Sequence, residues 1–300
     1  MKILLFGKDG QVGWELQRSL AMLGKLWPVH VHSTDHCGDF NDLDGITQTI
    51  RTIAPDLIVN AAAYTAVDRA ESEPDLCRSI NSLAPKRIAE ETKRLNAWLV
   101  HYSTDYVFDG SGSKPWLETD QPGPLNTYGV SKLEAESAIL TSGCQHLIFR
   151  TSWVYASRGS NFAKSILRLA KSKDSLSVIN DQLGAPTGAD LLADITAHAV
   201  MMVRKMPNLS GIYHAAAGGE TSWYEYASFV IDLARQRGVN IQVKPDSICA
   251  VASSAFATAA QRPHNSRLNT DKLKNTFGFN LPHWQTGVTR MLTEILEEKT

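Results

Sequence analysis

The sequence predicts an α/β chain built on a doubly wound parallel sheet, and three observations predict it. Short apolar runs alternate with longer amphipathic stretches through the first half of the 300 residues. Two of those runs, LIVN at 57–60 and WLVHYS at 98–103, are apolar over nearly their whole length. The first run, KILLFG, opens directly into a glycine-rich turn followed by a helix-like stretch. Strand-length runs alternating with helical segments imply right-handed βαβ units. Strands apolar on both faces are those that helices cover on both sides.

Taken in order, KILLFG is the first strand and residues 11–23 the first helix. PVHVHS, at 28–33, reads as the second strand and 43–53 as the second helix. DLIVNAAA gives a third strand, 74–95 a long helix, and AWLVHYST a fourth strand. A helix begins near Asn126, and HLIFRTSW and LSVIN carry the alternation to about residue 180. Turn signals then crowd the chain: APTG at 185–188, MPNLSG at 206–211, AAGG at 216–219, and an Ala/Ser/Thr tract ending at RPHNS. The expected organisation is a larger unit over 1–150, completed by part of 175–205, interleaved with a smaller α/β unit over 151–300. No internal repeat or flexible linker separates them.

Composition removes several classes of function. Lys plus Arg total 30 against 31 Asp plus Glu, a formal net charge of -1, with 43% hydrophobic residues. That balance is a globular one and offers no basic surface for nucleic acid. The opening MKILLFGKDG is too short in apolar residues for a signal peptide, and no window approaches the roughly 20 apolar residues of a spanning helix. A cytoplasmic protein without a membrane partner is therefore expected. Cys37, Cys77, Cys144 and Cys249 are far apart and form no C-x-x-C pair, so they read as reduced thiols. No G-x-S-x-G elbow and no H-E-x-x-H is present, which leaves hydrolase and zinc-protease readings without their residues.

Gly7, Gly10 and Gly13 stand between the first strand and the first helix in G-x-x-G-x-x-G spacing. Glycines there let the backbone turn tightly, let a pyrophosphate approach, and let the helix pack close, while the helix N-terminus attracts the anion. In this context the segment reads as a dinucleotide site of Rossmann type. The second strand has no acidic residue directly at its end for the ribose hydroxyls; Asp35 lies late, no arginine stands near for a 2'-phosphate, and His32 is ambiguous. The choice between NADH and NADPH stays open. Asp39 and Phe40 are placed to meet the adenine, with a solvated Asp beside a core Phe as the competing reading. His30, His32 and His36 lie at the expected cofactor edge and lack metal-site partners.

Tyr128 and Lys132 are spaced i, i+4 in NTYGVSKLEAESAIL, which puts both on one helix face about 6 Å apart along the axis. An ammonium beside a phenol favours the phenolate and eases proton transfer. A third group adds weight: HYSTDYVF ends a buried strand with Ser103, Thr104 and Asp105, at the sheet's carboxyl end where such folds bind ligands.

The set GKDGQVG, NAAAYTAVDRAE, STDYVFDG, YGVSK and NDQLGAPTG resembles the extended short-chain dehydrogenase/reductases, and the likeness runs on through RPHNSRLNTDKL and PHWQTGV. The resemblance implies that Thr104, Tyr128 and Lys132 are catalytic. Hydride then passes from NADPH or NADH to C4 of a dTDP-linked 4-keto sugar, giving dTDP-L-rhamnose for polysaccharide synthesis. It further implies that Gly10, Gln11 and Val12 hold the pyrophosphate, Asp39 and Phe40 the adenosine, and Ala63, Tyr64 and Thr65 the cofactor's middle. Tyr128 and Lys132 are both expected to contact the cofactor as well, with Lys132 holding its ribose and lowering the Tyr128 pKa. Thr104, Asp105 and Trp153 are expected on the sugar nucleotide, which makes 151–300 the substrate unit. A homodimer and, in some members, magnesium belong to the same resemblance.

Several residues keep two readings. Trp153 stacks on a sugar face or serves as a core aromatic. Arg262 and Arg267 meet a diphosphate or form surface ion pairs. NDQLGAPTG is better explained as the start of a helix with Asp190 in its first turn. Glu15 and Asp190 are the candidate Mg²⁺ ligands, and two solvated carboxylates are favoured over a metal cage. The alternatives to the reductase are a non-catalytic NADP-binding regulatory subunit of the same fold and a nucleotide-sugar epimerase.

Overall fold

The computed structural model describes residues 1–297. In chain order the large sheet takes β1 (Lys2–Phe6), β2 (Lys25–Val29), β3 (Leu57–Asn60), β4 (Trp98–Thr104) and β5 (Gln145–Thr151). The chain then makes β6 (Val154–Tyr155), β7 (Leu176–Ile179), β8 (Leu183–Gly184) and β9 (Thr187–Gly188) elsewhere, before β10 (Gly211–His214) rejoins the sheet. The order across its six strands is β10–β5–β4–β3–β1–β2, with every neighbouring pair parallel. Winding reverses between β1 and β3, so the carboxyl ends of β1, β3 and β4 open the crevice where ligands of doubly wound sheets bind.

The helices are α1 (Gln11–Ala21), α2 (Leu43–Ile53), α3 (Val67–Ala70), α4 (Pro74–Arg78), α5 (Ala84–Leu95), α6 (Thr127–Ser142), α7 (Phe162–Ala170) and α8 (Ala189–Val203). Strand side chains alternate between faces. Ile3 and Leu5 of β1 therefore pack with Leu16 and Leu20 of α1 and Leu192 and Val200 of α8. Leu4 and Phe6 pack on the other side with Ile46 and Ile50 of α2, Ile88 of α5 and Ile139 of α6. KILLF is apolar throughout because both its faces are covered. Burying each such side chain contributes roughly 1.5–3 kcal/mol.

A second core gathers Ile166 and Leu167 of α7, Tyr226, Val230 and Ile231 of α9 (Trp223–Gln236), and Val288 and Leu292 of the C-terminal helix, Trp284–Glu297. Between these helices lie β11 (Thr221–Ser222), β12 (Ile248–Val251) and α10 (Asp271–Phe277); α11 is the C-terminal helix. Leu273 and Phe277 of α10 pack back into the first core. Among the described residues no helix is long and apolar enough to cross a membrane, and Cys37, Cys77, Cys144 and Cys249 are all free thiols.

Three elements depart from the sequence reading. The second strand is KLWPV rather than PVHVHS. Its partner β1 ends where Gly7 turns to φ +83°, and the Gly7 and Lys8 N–H groups both donate to the Val29 carbonyl at 3.0 and 3.2 Å. Past that point His30 to Ser33 close a turn, Ser33 N–H to His30 O at 3.0 Å. LSVIN does not extend the large sheet: β7 pairs with β12 in a separate two-stranded sheet, because α7 packs into the second core and delivers the next strand there. The 74–95 helix is interrupted by a π turn over Ser79–Leu83, an interruption that favours functional sites. Asn81 in that turn accepts from Tyr64 N–H at 2.8 Å and donates to Tyr64 O at 3.0 Å, clamping the loop after β3.

Candidate active site

The glycine turn is shaped by close backbone approach. At Gly7 a Cβ would stand 2.6 Å from the Ala62 nitrogen, and at Gly13 one would stand 2.0 Å from the Gly7 oxygen. Gly10 is the N-cap of α1 and supplies no capping side chain, so the first-turn N–H groups at Gln11, Val12 and Gly13 are left for an anion. The turn opens on a cavity of about 480 Å³ whose lining includes Gly7, Gly10, His32, Asp39, Phe40 and Ala63. Asp39 is half-buried at this cavity and accepts from Asn41 N–H at 2.9 Å. The Phe40 ring packs edge-on against Phe6 at 5.4 Å, so that ring belongs to the core. Asp35 is exposed. Tyr64 donates its hydroxyl to Glu73, Thr65 is exposed, and the Gln11 side chain accepts from Asn161 at 3.2 Å. Gly13→Ala should weaken cofactor binding at least tenfold by forcing α1 off the turn, which a fluorescence titration with NADPH checks.

The second cluster forms where β4 meets α6. Asn126 caps α6 by accepting from Gly129 N–H at 2.8 Å. A Cβ on Gly129 would lie 2.3 Å from the Tyr106 oxygen, so the glycine is what lets the first turn of α6, with Tyr128, settle onto the end of β4. The Tyr128 hydroxyl lies beside Thr104, and its ring meets Tyr106 edge-on at 5.8 Å. Thr104 also donates to Asp105 at 3.1 Å and accepts from Tyr106 N–H at 3.2 Å. Ser103 Oγ and Asp105 Oδ2 are buried without partners, which points to a polar ligand at this end of the strand.

The electrostatics correct one expectation. The Tyr128 hydroxyl pKa is pushed up, first by burial and then by the Asp105 charge, with Thr104 opposing. Burial and the Asp105 charge outweigh any opposing effect of Lys132, whose Nζ bonds the Tyr102 carbonyl at 2.6 Å and stands 3.2 Å from His101 Nε2. Burial pushes Lys132 itself down to about 8, against the attraction of Glu136. Asp105 is pushed up to about 7 by burial, despite hydrogen bonds from Ser266 and Thr104. An unfolded aspartate titrates near 3.9. The native state therefore holds the extra proton between about pH 4 and 7, and stability falls as pH rises through that window. Asp105→Asn should abolish this slope and exceed wild-type stability at pH 8 by a few kcal/mol, read from urea melts at pH 4, 6 and 8.

Tyr106 also lines a larger cavity of about 570 Å³, with Phe162, Gln182, Trp223, Arg262 and His264 among its walls. Arg262 pairs with Asp68 at 2.7 Å and hydrogen-bonds with Tyr106. Arg267 is instead fixed by Asn265 at 2.9 Å and Glu220 at 3.3 Å, outside that lining. Trp153 is stacked on Trp223 at 3.5 Å and on Gly184, held at φ +48°. It buttresses the wall that Trp223 presents. Glu15 and Asp190 do reach one small cleft, yet the Arg290 guanidinium lies 3.5 Å from Asp190 and 3.2 Å from Glu294, and Glu15 pairs with Arg18 at 3.6 Å. Among the described residues no group of three or more His, Cys, Asp or Glu is placed to hold a metal ion. An arginine already neutralising the cleft does not fit Mg²⁺ ligation.

Comparison with known proteins agrees with this architecture. The family model of the RmlD substrate binding domain matches residues 1–297. The chain belongs to that family. It is 56% identical over 295 residues to the dTDP-4-dehydrorhamnose reductase of Escherichia coli (strain K12), covering 98% of each chain. It is 55% identical over 300 residues to the dTDP-4-dehydrorhamnose reductase of Salmonella typhimurium, covering 100% of each. Among solved structures, the dTDP-4-dehydrorhamnose reductase of Bacillus anthracis in complex with NADP superposes with a TM-score of 0.85 at 32% identity, over 98% of this chain and 99% of that one.

For this member of the RmlD substrate binding domain family, the sequence reading did not single out Trp223, Gln182 or His264 as cavity walls. The available signal was TSWYEY, an aromatic-rich helix start whose Ser222 and Glu225 form a capping box. That motif announces a helix and says nothing of which cavity its first residue faces. Ser266, which bonds Asp105 from far along the chain, carried no local signal.

Proposed function

We infer that the protein is a nicotinamide-dependent reductase that converts the C4 keto group of dTDP-4-dehydro-L-rhamnose to the hydroxyl of dTDP-L-rhamnose. The full-length likeness to curated reductases of that substrate supports the substrate class. The meeting of Thr104, Asp105 and Tyr128 at the carboxyl end of β4 carries the chemistry. The glycine-turn cavity would hold the cofactor, which when bound supplies a hydride. Residues 1–150, with α8 and β10, form the cofactor-holding part, and the second core shapes the sugar-nucleotide cavity.

Charge develops on the substrate's C4 oxygen as the carbonyl is reduced, so donors aimed at that oxygen lower the barrier. Tyr128 enters with its proton in place, as burial and the neighbouring carboxylate ensure, and gives it to that oxygen. Thr104 supplies a second hydroxyl within the same cluster. Lys132 orients the cofactor ribose and, as an ammonium, favours the phenolate left on Tyr128. Arg262 in the larger cavity is the residue suited to a diphosphate.

Nicotinamide absorbance distinguishes the alternatives when the protein is mixed with dTDP-4-keto-6-deoxy-L-mannose and either NADH or NADPH. Stoichiometric loss is expected with at least one cofactor, and the relative rates rank the two. Cofactor binding without loss would reassign the chain to a regulatory role, and sugar isomerisation without net oxidation to an epimerase.

A further inference from the structure

Behind Lys132 lies a chain of buried polar groups that the reaction does not use directly. Asn60, at the end of β3, and His101, in β4, are each 1% exposed, and Lys132 is 2% exposed. The Ala62 N–H donates to Asn60 Oδ1 at 3.0 Å, Asn60 Nδ2 stands 3.1 Å from His101 Nδ1, and His101 Nε2 stands 3.2 Å from Lys132 Nζ. A backbone N–H only donates. It therefore fixes which end of the Asn60 amide faces it, and the amide's NH₂ must point at His101. His101 Nδ1 must accept, so a neutral imidazole carries its proton on Nε2. That N–H points at Lys132, and an ammonium has three donors and no lone pair to receive it.

We propose that Asn60 and His101 are positioning residues that set the hydrogen-bond polarity at Lys132. Anchored on the Ala62 N–H, they present the His101 Nε2–H to the lysine and favour the uncharged amine over the ammonium. With the amine, every member is satisfied: Lys132 accepts from His101 and donates to the Tyr102 carbonyl. With the ammonium, reversing the chain would set the Asn60 NH₂ against the Ala62 N–H. Because it ends on a backbone amide, the chain orients and does not conduct protons. Other groups around Lys132 pull the opposite way or are silenced. Glu136 and Cys77 favour the ammonium, although Glu136 is bound bidentately by Arg150, and Tyr128 lies one turn earlier on α6. Burial sides with the chain and also keeps His101 neutral, helped by the Lys132 charge.

The consequence for rate rests on the reductase reading: as pH rises, Lys132 loses the charge that favours the Tyr128 phenolate, and kcat/KM falls on the basic side. Asn60→Asp turns the chain round. One carboxylate oxygen still accepts from Ala62 N–H, the other accepts from a protonated His101 Nδ1, and Nε2 then accepts from the Lys132 ammonium. The test is ¹⁵N-histidine NMR of the full-length protein between pH 6 and 8, with pH profiles of kcat/KM alongside. His101 protonated on Nε2 in the wild type, its proton moved to Nδ1 in Asn60→Asp, and a basic limb shifted up by at least one pH unit are the expected results. A wild-type His101 protonated on Nδ1 would overturn the proposal, even if the variant failed to fold. So would an Asn60→Asp protein with tautomer and basic limb unchanged. A protein inactive on the sugar but showing the Nε2–H tautomer would defeat the reductase reading and leave the positioning role standing.

Discussion

Tyr128→Phe should turn over its sugar nucleotide roughly 10² to 10⁴-fold more slowly than the wild type while still binding cofactor, because removing a general acid has an effect of that size. The substitution deletes one oxygen and keeps the ring that packs edge-on against Tyr106 at 5.8 Å, so the cluster's shape survives. What disappears is the hydroxyl beside Thr104 and its proton. The glycine-turn cavity does not count Tyr128 in its lining, so NADPH affinity should change by less than a few-fold. Steady-state rates and a cofactor titration check both halves, and wild-type turnover in this variant would refute the assigned acid.

Arg150→Leu should destabilise the fold by about 3–5 kcal/mol, the cost of stranding one member of a buried ion pair. Arg150 and Glu136 have side chains 3% and 2% exposed, joined by bonds of 2.9 and 2.6 Å. The guanidinium also lies 5.0 Å from the centre of the Phe108 ring. Without it the Glu136 carboxylate is left buried and unpaired, one turn from Lys132. Arg150→Leu combined with Glu136→Leu should recover most of the loss, since neither member of the pair is then left stranded. Urea denaturation of the three proteins measures this, and a single variant as stable as wild type would contradict the pairing energetics.

The parallel sheet is legible in the sequence because burial on both faces writes itself as unbroken apolar runs, as in KILLF and LIVN. Tyr128 and Lys132 are legible because helix periodicity is local, and the glycine turn because Gly7 and Gly13 each answer to a close backbone contact. Strand β10 is not legible: four residues in a turn-rich region carry no periodicity, and only pairing with β5 makes them a strand. The end of β2 depends on where β1 stops, which its own alternation of Val and His does not encode. Arg290 beside Asp190 joins positions about a hundred residues apart, so a carboxylate that reads as a metal ligand is already paired. The polarity at Lys132 is equally non-local, being set by a backbone N–H at Ala62.

The most direct test of the reduction follows a labelled hydrogen. NADPH carrying deuterium at both hydrogens of nicotinamide C4 is incubated with the protein and dTDP-4-keto-6-deoxy-L-mannose, and the sugar nucleotide is examined by mass spectrometry and NMR. A dTDP-L-rhamnose product bearing deuterium at sugar C4 is the predicted result. Unlabelled product, or label at any other carbon, would contradict hydride delivery to the carbonyl that Thr104 and Tyr128 are proposed to face.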